Sequence, residues 1–505
     1  MGQVLDKKII EKAPKRTRRP LVLAAVMLAM FMGAIEATIV STAMPAIVGD
    51  LGEFSLYSWV FSSYLLMNAV TVLIYGKLSD LFGRKPILIF GIILFLIGSL
   101  LCGFATSMTM LIIFRLIQGF GAGAVMPIAT TIVGDIYSKE ERAKIQGYLS
   151  SVWGISAISG PAIGGVLVEF ASWHYVFWIN IPLGVLAIIG IGRYLHENIE
   201  KKKPIIDYWG AFLLTISITS MMFLLVGSGT NWGWTSPVAI GLFVVSGITF
   251  CLFVFQEKRV KEPMMPFNIW KERSILIANM ASLTTGIMLI GISSFLPAYV
   301  QGVMERSSVI AGFTLTTMSI GWPIASWAAG TLLLKIGFRT TSILGGLSLI
   351  LGSVMFVTLS PEDGPLWAAA GSFLFGVGMG LTSTTFIVSI QSTVSWQQRG
   401  IATAANMFMR NLGNTIGAAL LGGVLNNQIM SYFQKHSNES EPLSVDTTNI
   451  LLNEGERNKL ALEVKEILQD GLTLALHWVY DVVFIFAVIS FLLIIFLPKK
   501  ENRSA

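Results

Sequence analysis

The chain has 505 residues, of which 54% are hydrophobic and only 13% are charged. This composition excludes a soluble globular protein, because long apolar runs are typical of membrane-spanning helices. The pI of about 9.1 would suit nucleic acid, but the positions of the basic residues favour membrane orientation instead. We therefore expect a lipid bilayer around the chain and no nucleic-acid partner.

Fourteen apolar runs follow a basic tail over residues 1–20, which we predict to be cytosolic and uncleaved. Because backbone polar groups in lipid must be bonded internally, each run predicts a transmembrane helix and the fold is all-α. The runs cover residues 21–44, 56–76, 86–106, 109–134, 144–168, 175–195, 209–228, 236–256, 275–300, 309–333, 340–360, 366–388, 400–426 and 473–497.

The basic residues alternate between loops. With the N-terminus inside, 28 of the 35 Lys and Arg residues lie in the two tails, in inner loops or at the inner ends of spans (Lys144 and Arg193), 5 lie in outer loops and 2, Arg115 and Arg410, lie deeper within spans. Cytosolic loops of membrane proteins carry such an excess of positive charge. The pattern predicts a multi-pass protein of the cell membrane with both termini in the cytosol.

An internal repeat divides the chain into two related halves. Four residues after the second helix recur at an offset of 254, and three glycines of the fourth helix recur at an offset of 257. The pairs are Gly76 and Gly330, Leu78 and Leu332, Gly83 and Gly337, Lys85 and Arg339, Gly119 and Gly376, Gly121 and Gly378, and Gly123 and Gly380. The predicted units are a tail (1–20), a six-helix bundle (21–200), two inserted helices with linkers (201–270), a second six-helix bundle (271–498) and a cytosolic tail (499–505).

The polar stretch 427–472 lies outside in this topology. Its end, over residues 453–469, shows at best a weak amphipathic helix. We predict a solvated hairpin or lid for this stretch.

Glu36 is the clearest acid within a predicted span, and an ionisable group in that position is a candidate functional site. At about 1.5 Å per residue it lies in the outer half of the membrane, where burial favours the protonated form and a proton switch. The alternatives are a structural partner for a buried cation and a side chain at the outer interface.

Arg115, in the fourth predicted helix, is the other deep charge of the first half, and its depth is compatible with that of Glu36. An arginine there must pair with an acid, backbone carbonyls or trapped water. Structural anchoring and a part in proton movement are equally open. Gln118 lies one turn further along the same side of the helix.

Small residues fill the fifth predicted helix over residues 154–165 and permit close helix contact. Pro161 removes a helix hydrogen bond and bends the span. Tight packing alone explains the pattern, but a kinked, closely packed helix is also a natural hinge. The candidate motif consists of Gly154, Gly160, Pro161, Gly164 and Gly165.

A charged loop over residues 76–86 joins the second and third predicted helices. Ion pairs of this loop at the inner face could hold one conformation and break in another. The alternative is a tight turn that carries the positive charge of an inner loop. The candidate latch residues are Gly76, Asp80, Gly83, Arg84 and Lys85.

The sequence contains weaker indications of further functional residues. Arg410 and Asp481, in the last two predicted helices, are candidate partners, and Asp481 is a second candidate coupling acid. The sequence has no histidine spacing for a metal, no Walker A sequence and no nucleophile–base constellation, so we expect no metal, no cofactor and no enzyme activity. Cys102 and Cys251 lie in apolar runs and are predicted to be buried free thiols.

Several segments resemble motifs of the major facilitator superfamily. Residues 76–86 are similar to its signature loop, residues 111–124, with Arg115, Gln118 and Gly119, to its fourth-helix motif, and residues 154–165 to the fifth-helix motif of proton-exchanging exporters. Residues 36–45 and 173–182 resemble segments of the fourteen-helix drug:proton antiporters. Glu36 stands where that family usually has Asp, and His174 where Arg is common.

The resemblance implies proton-driven export of lipophilic, often cationic small molecules by alternating access of two six-helix bundles, with sites between the bundles near the middle of the membrane. Glu36 would take a proton from outside and release it inside, and Arg115 would tune that acid. The fifth-helix motif would let the bundles rock, and the loop at 76–86 would latch the inner side. A monomer is expected.

Three rival classes stay open at this point. The chain could be an importer or uniporter of a metabolite, a membrane-embedded enzyme or a non-transporting sensor. The membrane acid and the fifth-helix motif favour the exporter over the first. The absence of a catalytic constellation and of long cytosolic loops disfavours the other two.

Overall fold

The computed structural model describes residues 17–137, 139–197, 207–227, 232–233, 235–260, 267–394, 399–436 and 443–498. The terminal tails predicted over 1–20 and 499–505 thus lie largely or wholly outside the described residues. Within the described ranges, long helices occupy all fourteen predicted positions. They are α1 (Arg19–Leu51), α2 (Tyr57–Phe82), α3 (Arg84–Cys102), α4 (Met108–Ile136), α5 (Lys139–Phe170), α6 (His174–Tyr194), α7 (Tyr208–Gly227), α8 (Pro237–Arg259), α9 (Arg273–Val303), α10 (Ser308–Leu333), α11 (Lys335–Val357), α12 (Pro361–Thr393), α13 (Arg399–His436) and α14 (Leu462–Ile495).

Twelve of these helices are long and apolar enough to cross a membrane by length and composition, among the described residues. α2 and α13 are outside that set. The segment of α13 that would cross contains four asparagines and an arginine, namely Asn406, Arg410, Asn411, Asn414 and Asn426. The all-helical membrane fold is confirmed, whereas fourteen crossings and two cytosolic termini stay predictions.

Several helices begin where the sequence provides a cap. Ser107 accepts a hydrogen bond from the backbone N–H of Met110 at the start of α4, and Ser236 does the same for Ala239 at the start of α8. A serine oxygen at this position satisfies one of the N–H groups that have no partner within the helix.

The charged loop predicted over residues 76–86 is wrong in its extent. α2 continues to Phe82, and the chain turns only at Gly83, whose φ of 94° ends the helix. Glycine adopts such a positive φ without the steric cost that a Cβ would bring. Gly76 and Asp80 therefore belong to the last turns of α2. The position of the Asp80 side chain lies outside the described residues.

Buried apolar clusters lie within each half, a further cluster at the outer end is shared by both halves, and three helix pairs join the halves. α5 packs against α10, α2 against α13 and α1 against α9. The inserted helix α7 contacts both α2 and α13, and α8 packs on α7 with most of its surface uncovered by protein. Cys251 lies on that uncovered face, so the prediction of a buried thiol is wrong for Cys251 and confirmed for Cys102.

Hydrogen bonds between the halves close the end of the bundle that the charge pattern assigns to the outside. The Tyr57 hydroxyl donates to the Ser294 carbonyl at 2.6 Å, and the Asn426 amide donates to the Ser55 carbonyl at 2.7 Å. At the contact between α5 and α10, the Ser308 hydroxyl donates to Glu169 Oε2 at 3.0 Å. These contacts join the outer ends of helices from both halves.

The outer stretch predicted as a solvated hairpin or lid is shorter and better packed than expected. α13 continues to His436 and α14 begins at Leu462, and a 3-10 helix (Val445–Leu452) lies between them. Asp446 Oδ1 accepts the backbone N–H of Ser55 at 2.9 Å, and Leu451 is fully buried. The stretch is therefore a lid that contacts both halves.

Candidate functional site

Glu36 and Arg115 form a buried ion pair inside the first bundle. Glu36, in α1, is 0% exposed and Arg115, in α4, is 2% exposed. Arg115 Nη1 donates to Glu36 Oε1, and the side-chain amide of Asn180, in α6, donates to Glu36 Oε2 at 2.6 Å. Both carboxylate oxygens thus have a donor, as an ionised carboxylate buried away from water requires.

Helix α2 supplies further contacts of the Arg115 guanidinium. Its Nε donates to the Val60 carbonyl at 3.3 Å, and its Cζ lies 4.1 Å from the centre of the Tyr64 ring. A guanidinium over an aromatic face is attracted to the π-electrons, more strongly where water is absent. Arg115 is held by α1, α2 and its own helix.

Polar side chains of α3 and α4 complete the network. Gln118 Oε1 accepts from Arg115 Nη1 at 2.7 Å, and its Nε2 donates to Ser99 Oγ at 3.1 Å. Ser99 Oγ also accepts from Asn180 Nδ2 at 3.0 Å and donates to the Phe177 carbonyl at 2.7 Å. Five helices of the first bundle therefore meet at one sealed charge pair.

One acceptor within this network has no partner among the described residues, namely Asn180 Oδ1. The amide of Asn180 donates to Glu36 and Ser99 through the same nitrogen, so its oxygen is left in the buried interior. A buried amide oxygen without a donor costs free energy.

The fifth-helix motif brings α1 and α10 close to α5 on two different faces. A Cβ at Gly160 would overlap the Thr38 side chain of α1, and a Cβ at Gly165 would lie 2.8 Å from the Ser308 carbonyl of α10. Gly164 faces Ile39 of α1, the Pro161 carbonyl lies against Gly312 of α10, and Gly154 has only an ordinary contact with Pro323. The small residues therefore let α5 pack tightly within its bundle and across to the other half.

The described contacts of the predicted latch stay within the first half. Arg84 pairs with Asp135 at the end of α4. Glu197 accepts the backbone N–H groups of Arg84 at 2.9 Å and Lys85 at 3.1 Å, and the Lys85 ammonium donates to the carbonyl of Leu195 at 2.8 Å. These bonds fix the turn after α2 against the ends of α4 and α6.

The second candidate acid has no such surroundings. Arg410 and Asp481 are half-buried, and neither forms an ion pair in the part of the chain that the structure describes. His477, one turn before Asp481, hydrogen bonds through Nε2 with the Leu359 carbonyl at 2.7 Å. The structure thus brings Glu36, Arg115 and Gln118 together and does not add Asp481 to them.

Sequence reasoning missed Asn180 and Ser99 as parts of this site. Asn180 lies in the segment 173–182, which the family resemblance marked without assigning a role, and a polar residue in an apolar run was the available signal. Ser99 gave no comparable signal, because serine in a membrane helix can bond to its own backbone.

Comparisons with known proteins agree with this architecture. The family model described as Major Facilitator Superfamily matches residues 26–418. The chain is 33% identical to "Multidrug resistance protein 3" of Bacillus subtilis (strain 168), over 97% of each chain, and 36% identical to "Multidrug transporter protein MdtP" of the same organism, over 83% of this chain and 77% of that one.

Solved structures share the fold at low identity. A bacterial homologue of the human lysosomal transporter Spinster, in an inward-facing and unoccupied conformation, has a TM-score of 0.66 at 16% identity and covers 96% of this chain and 99% of its own. A D-xylose-proton symporter has a TM-score of 0.63 at 13% identity, over 96% and 100%.

The apolar helices, the two packed bundles and these relatives define a multi-pass transporter of the cell membrane, and not an enzyme. The chain belongs to the Major Facilitator Superfamily.

Proposed function

We propose that this transporter is a proton-coupled antiporter that exports lipophilic, mostly cationic drugs or toxic small molecules by alternating access. The export of drugs is supported by relatives of similar length whose names describe multidrug resistance and multidrug transport. Proton coupling is supported by one observation above all, the sealed pair of Glu36 and Arg115.

A carboxylate sealed in a membrane bundle can be stable in two forms. With Arg115 and Asn180 in place it is ionised, because both oxygens accept from donors and the charge is balanced. When a proton arrives, Glu36 becomes neutral, its attraction to Arg115 falls, and the pair can separate. Loading and release of one proton thus change the forces between α1 and α4.

A protein that is closed at its outer end corresponds to the stage of the transport cycle at which substrate enters from the cytosol. The halves are joined at the outside by Tyr57, Asn426 and Ser308, while Glu36 is held in the ionised arrangement. In the proposed cycle, substrate and proton then compete, opening to the outside releases substrate, and an external proton neutralises Glu36. The two six-helix bundles move as units around α5 and α10, and the inserted pair α7 and α8 stays on the seam of α2 and α13.

Reconstituted vesicles with an imposed pH gradient test the proposal. A panel of lipophilic cations, tetracyclines and fatty acids is added, and proton flux is followed for the wild type, Glu36→Gln and the control Asp481→Asn. We expect substrate-triggered proton flux in the wild type and in Asp481→Asn, and none in Glu36→Gln.

Two other outcomes contradict it. Flux that survives in Glu36→Gln and is lost in Asp481→Asn moves the coupling acid to the second bundle. Substrate movement in the wild type without proton flux makes the chain a uniporter or importer.

A further inference from the structure

A cavity lies at the end of the second bundle that the charge pattern assigns to the cytosol. It has a volume of about 300 Å³ and is lined by Arg273, Arg339, Ile495 at the end of α14 and the three residues that follow it, Phe496 to Pro498. Two of its lining residues are cations and none is an acid. Among the described residues, the wall of the cavity therefore carries positive charge and no acid that compensates it.

Both arginines are without a partner among the described residues. Neither Arg273, at the start of α9, nor Arg339, at the start of α11, forms an ion pair or a side-chain hydrogen bond there, although Arg339 is half-buried. Arg84 in the first half, by contrast, is paired with Asp135. A guanidinium presents a planar fork of donors that matches phosphate oxygens two at a time.

The first half shows what fills the equivalent place. Gly83 and Gly337, at an offset of 254, both turn the chain with positive φ, 94° and 80°. After Gly83, the Glu197 carboxylate accepts the backbone N–H groups of Arg84 and Lys85, while the Lys85 ammonium donates to the Leu195 carbonyl. Arg339 is the repeat equivalent of Lys85, so an anion is bound next to this turn in the first half.

The described part of the second half has no acid at the position that corresponds to Glu197. Glu197 lies three residues after the end of α6 at Tyr194, and the residue three positions after the end of α14 at Ile495 is Pro498. Pro498 lines the cavity and has no carboxylate. The space that Glu197 fills in one half is thus an open basic cavity in the other.

We propose that this cavity binds the phosphate of an anionic phospholipid of the cytosolic leaflet, such as phosphatidylglycerol. Arg273 and Arg339 hold the phosphate oxygens, and the acyl chains follow the apolar side of α14, just beyond which Phe496 is 58% exposed. Basic pockets between membrane helices on the cytosolic side bind lipid headgroups by these same forces. The site is independent of the Glu36 pair and of the transported substrate.

Native mass spectrometry measures this binding directly. The full-length protein is equilibrated with equal amounts of phosphatidylglycerol and phosphatidylcholine, and the ratio of the first bound lipids is compared between the wild type and Arg273→Gln/Arg339→Gln. We expect the ratio to fall on the order of tenfold in the double variant.

The matched control is Lys271→Gln/Lys335→Gln. It removes the same charge from the same end of the bundle, at two exposed positions that do not line the cavity, and we expect the lipid ratio to stay within about twofold of the wild type. If the arginine double variant does not fold, Arg339→Lys keeps the charge but loses the planar fork, and we expect an intermediate ratio.

Three results would overturn the proposal. An equal fall in both double variants would mean that total charge, and not the cavity, selects the lipid. Stabilisation of the wild type by millimolar inorganic phosphate as strong as that by phosphatidylglycerol vesicles would mean that the site holds free phosphate. Lipid selectivity that is absent in the wild type and appears in Glu501→Gln would mean that a carboxylate of the chain's own C-terminal tail occupies the cavity.

Discussion

The two halves of this transporter are packed alike but differ in chemistry. Gly119 lies against the Tyr64 carbonyl. Its repeat equivalent Gly376 lies against the carbonyl of Met318, and Met318 is the repeat equivalent of Tyr64 at the offset of 254. Gly121 and Gly378 repeat the same relation to the Gly91 and Gly345 carbonyls. The close helix contacts of the fold are thus present twice.

The charged network is present once. At the offset of 257, Arg115 becomes Ser372 and Gln118 becomes Phe375, both buried. The second half fills its interior with aromatic rings instead, and the Tyr480 ring lies 5.6 Å from that of Phe356 and 6.1 Å from that of Tyr299. Glycine positions therefore maintain the architecture in both halves, whereas the ion pair of Glu36 and Arg115 belongs to the first half alone among the described residues.

Removal of the Arg115 cation should have the largest effect on the stability of the protein. Arg115→Met leaves Glu36 buried without its partner, which costs about 3–5 kcal/mol of stability, whereas Ser372→Ala at the equivalent position of the second half should cost less than about 1 kcal/mol. Thermal unfolding in detergent, followed by tryptophan fluorescence, compares them. Glu36→Gln/Arg115→Met should recover most of the loss. Equal losses in Arg115→Met and Ser372→Ala would refute the difference between the halves.

Asn180→Ala tests the hydrogen bond that Asn180 donates to the Glu36 carboxylate. The variant loses a hydrogen bond to a charged group, worth about 1.5–3 kcal/mol, so the ionised form is less stable and transport should need a higher pH. We expect the midpoint of the pH profile of substrate-driven flux to rise by about 1–2 units.

Its control in the second half is Tyr480→Phe, because the Tyr480 hydroxyl has no partner among the described residues. This variant should leave the midpoint unchanged. A midpoint that does not move in Asn180→Ala would show that Asn180 only packs.

Alanine substitutions of glycine at the contact between the two halves should be more harmful where the helices approach each other more closely. A Cβ in Gly165→Ala meets the Ser308 carbonyl of α10, so the closed outer end should lose about 1–3 kcal/mol and the transport rate should fall. Gly154→Ala is the matched control, since its Cβ would lie 3.6 Å from Pro323. Equal transport by both variants would argue against tight packing at this seam.

The smallest effect is expected at the outer turn of the second half. Partial burial acts to raise the pKa of Glu305, but hydrogen bonds from Lys465 at 2.6 Å and Gln469 at 2.6 Å, with the charges of Lys465 and Arg457, outweigh it and hold the pKa below its ordinary value. Such a carboxylate stabilises the fold above its unfolded-state pKa, and this contribution is lost as pH falls through the lowered value.

Glu305→Gln tests this contribution. At neutral pH the variant should melt slightly below the wild type, by less than about 1 kcal/mol of stability because the pair is partly exposed. At acid pH, where Glu305 of the wild type is protonated, the two melting temperatures should converge. A difference that grows on acidification would have the wrong sign for this pair.

Much of the fold follows from the sequence. Apolar runs place the helices because lipid forces each long run to satisfy its backbone internally, and the repeat offsets predict the division into halves because equivalent glycines make equivalent close contacts. Helix ends were less accurate, as at Phe82, His436 and Leu462, because a helix can continue into water beyond its apolar run.

The candidate site divides in the same way. From the sequence alone it follows that Glu36 and Arg115 must each have a partner, since an unpaired charge is costly at this depth, and that the two residues lie at compatible depths. The packing of the folded helices makes these two residues a pair, brings Asn180 to the second carboxylate oxygen, and leaves Asp481 outside the network. The physical reason is that hydrophobicity fixes the depth of a residue in the membrane, whereas the rotation and neighbours of its helix are set by side-chain packing among all the helices of the bundle.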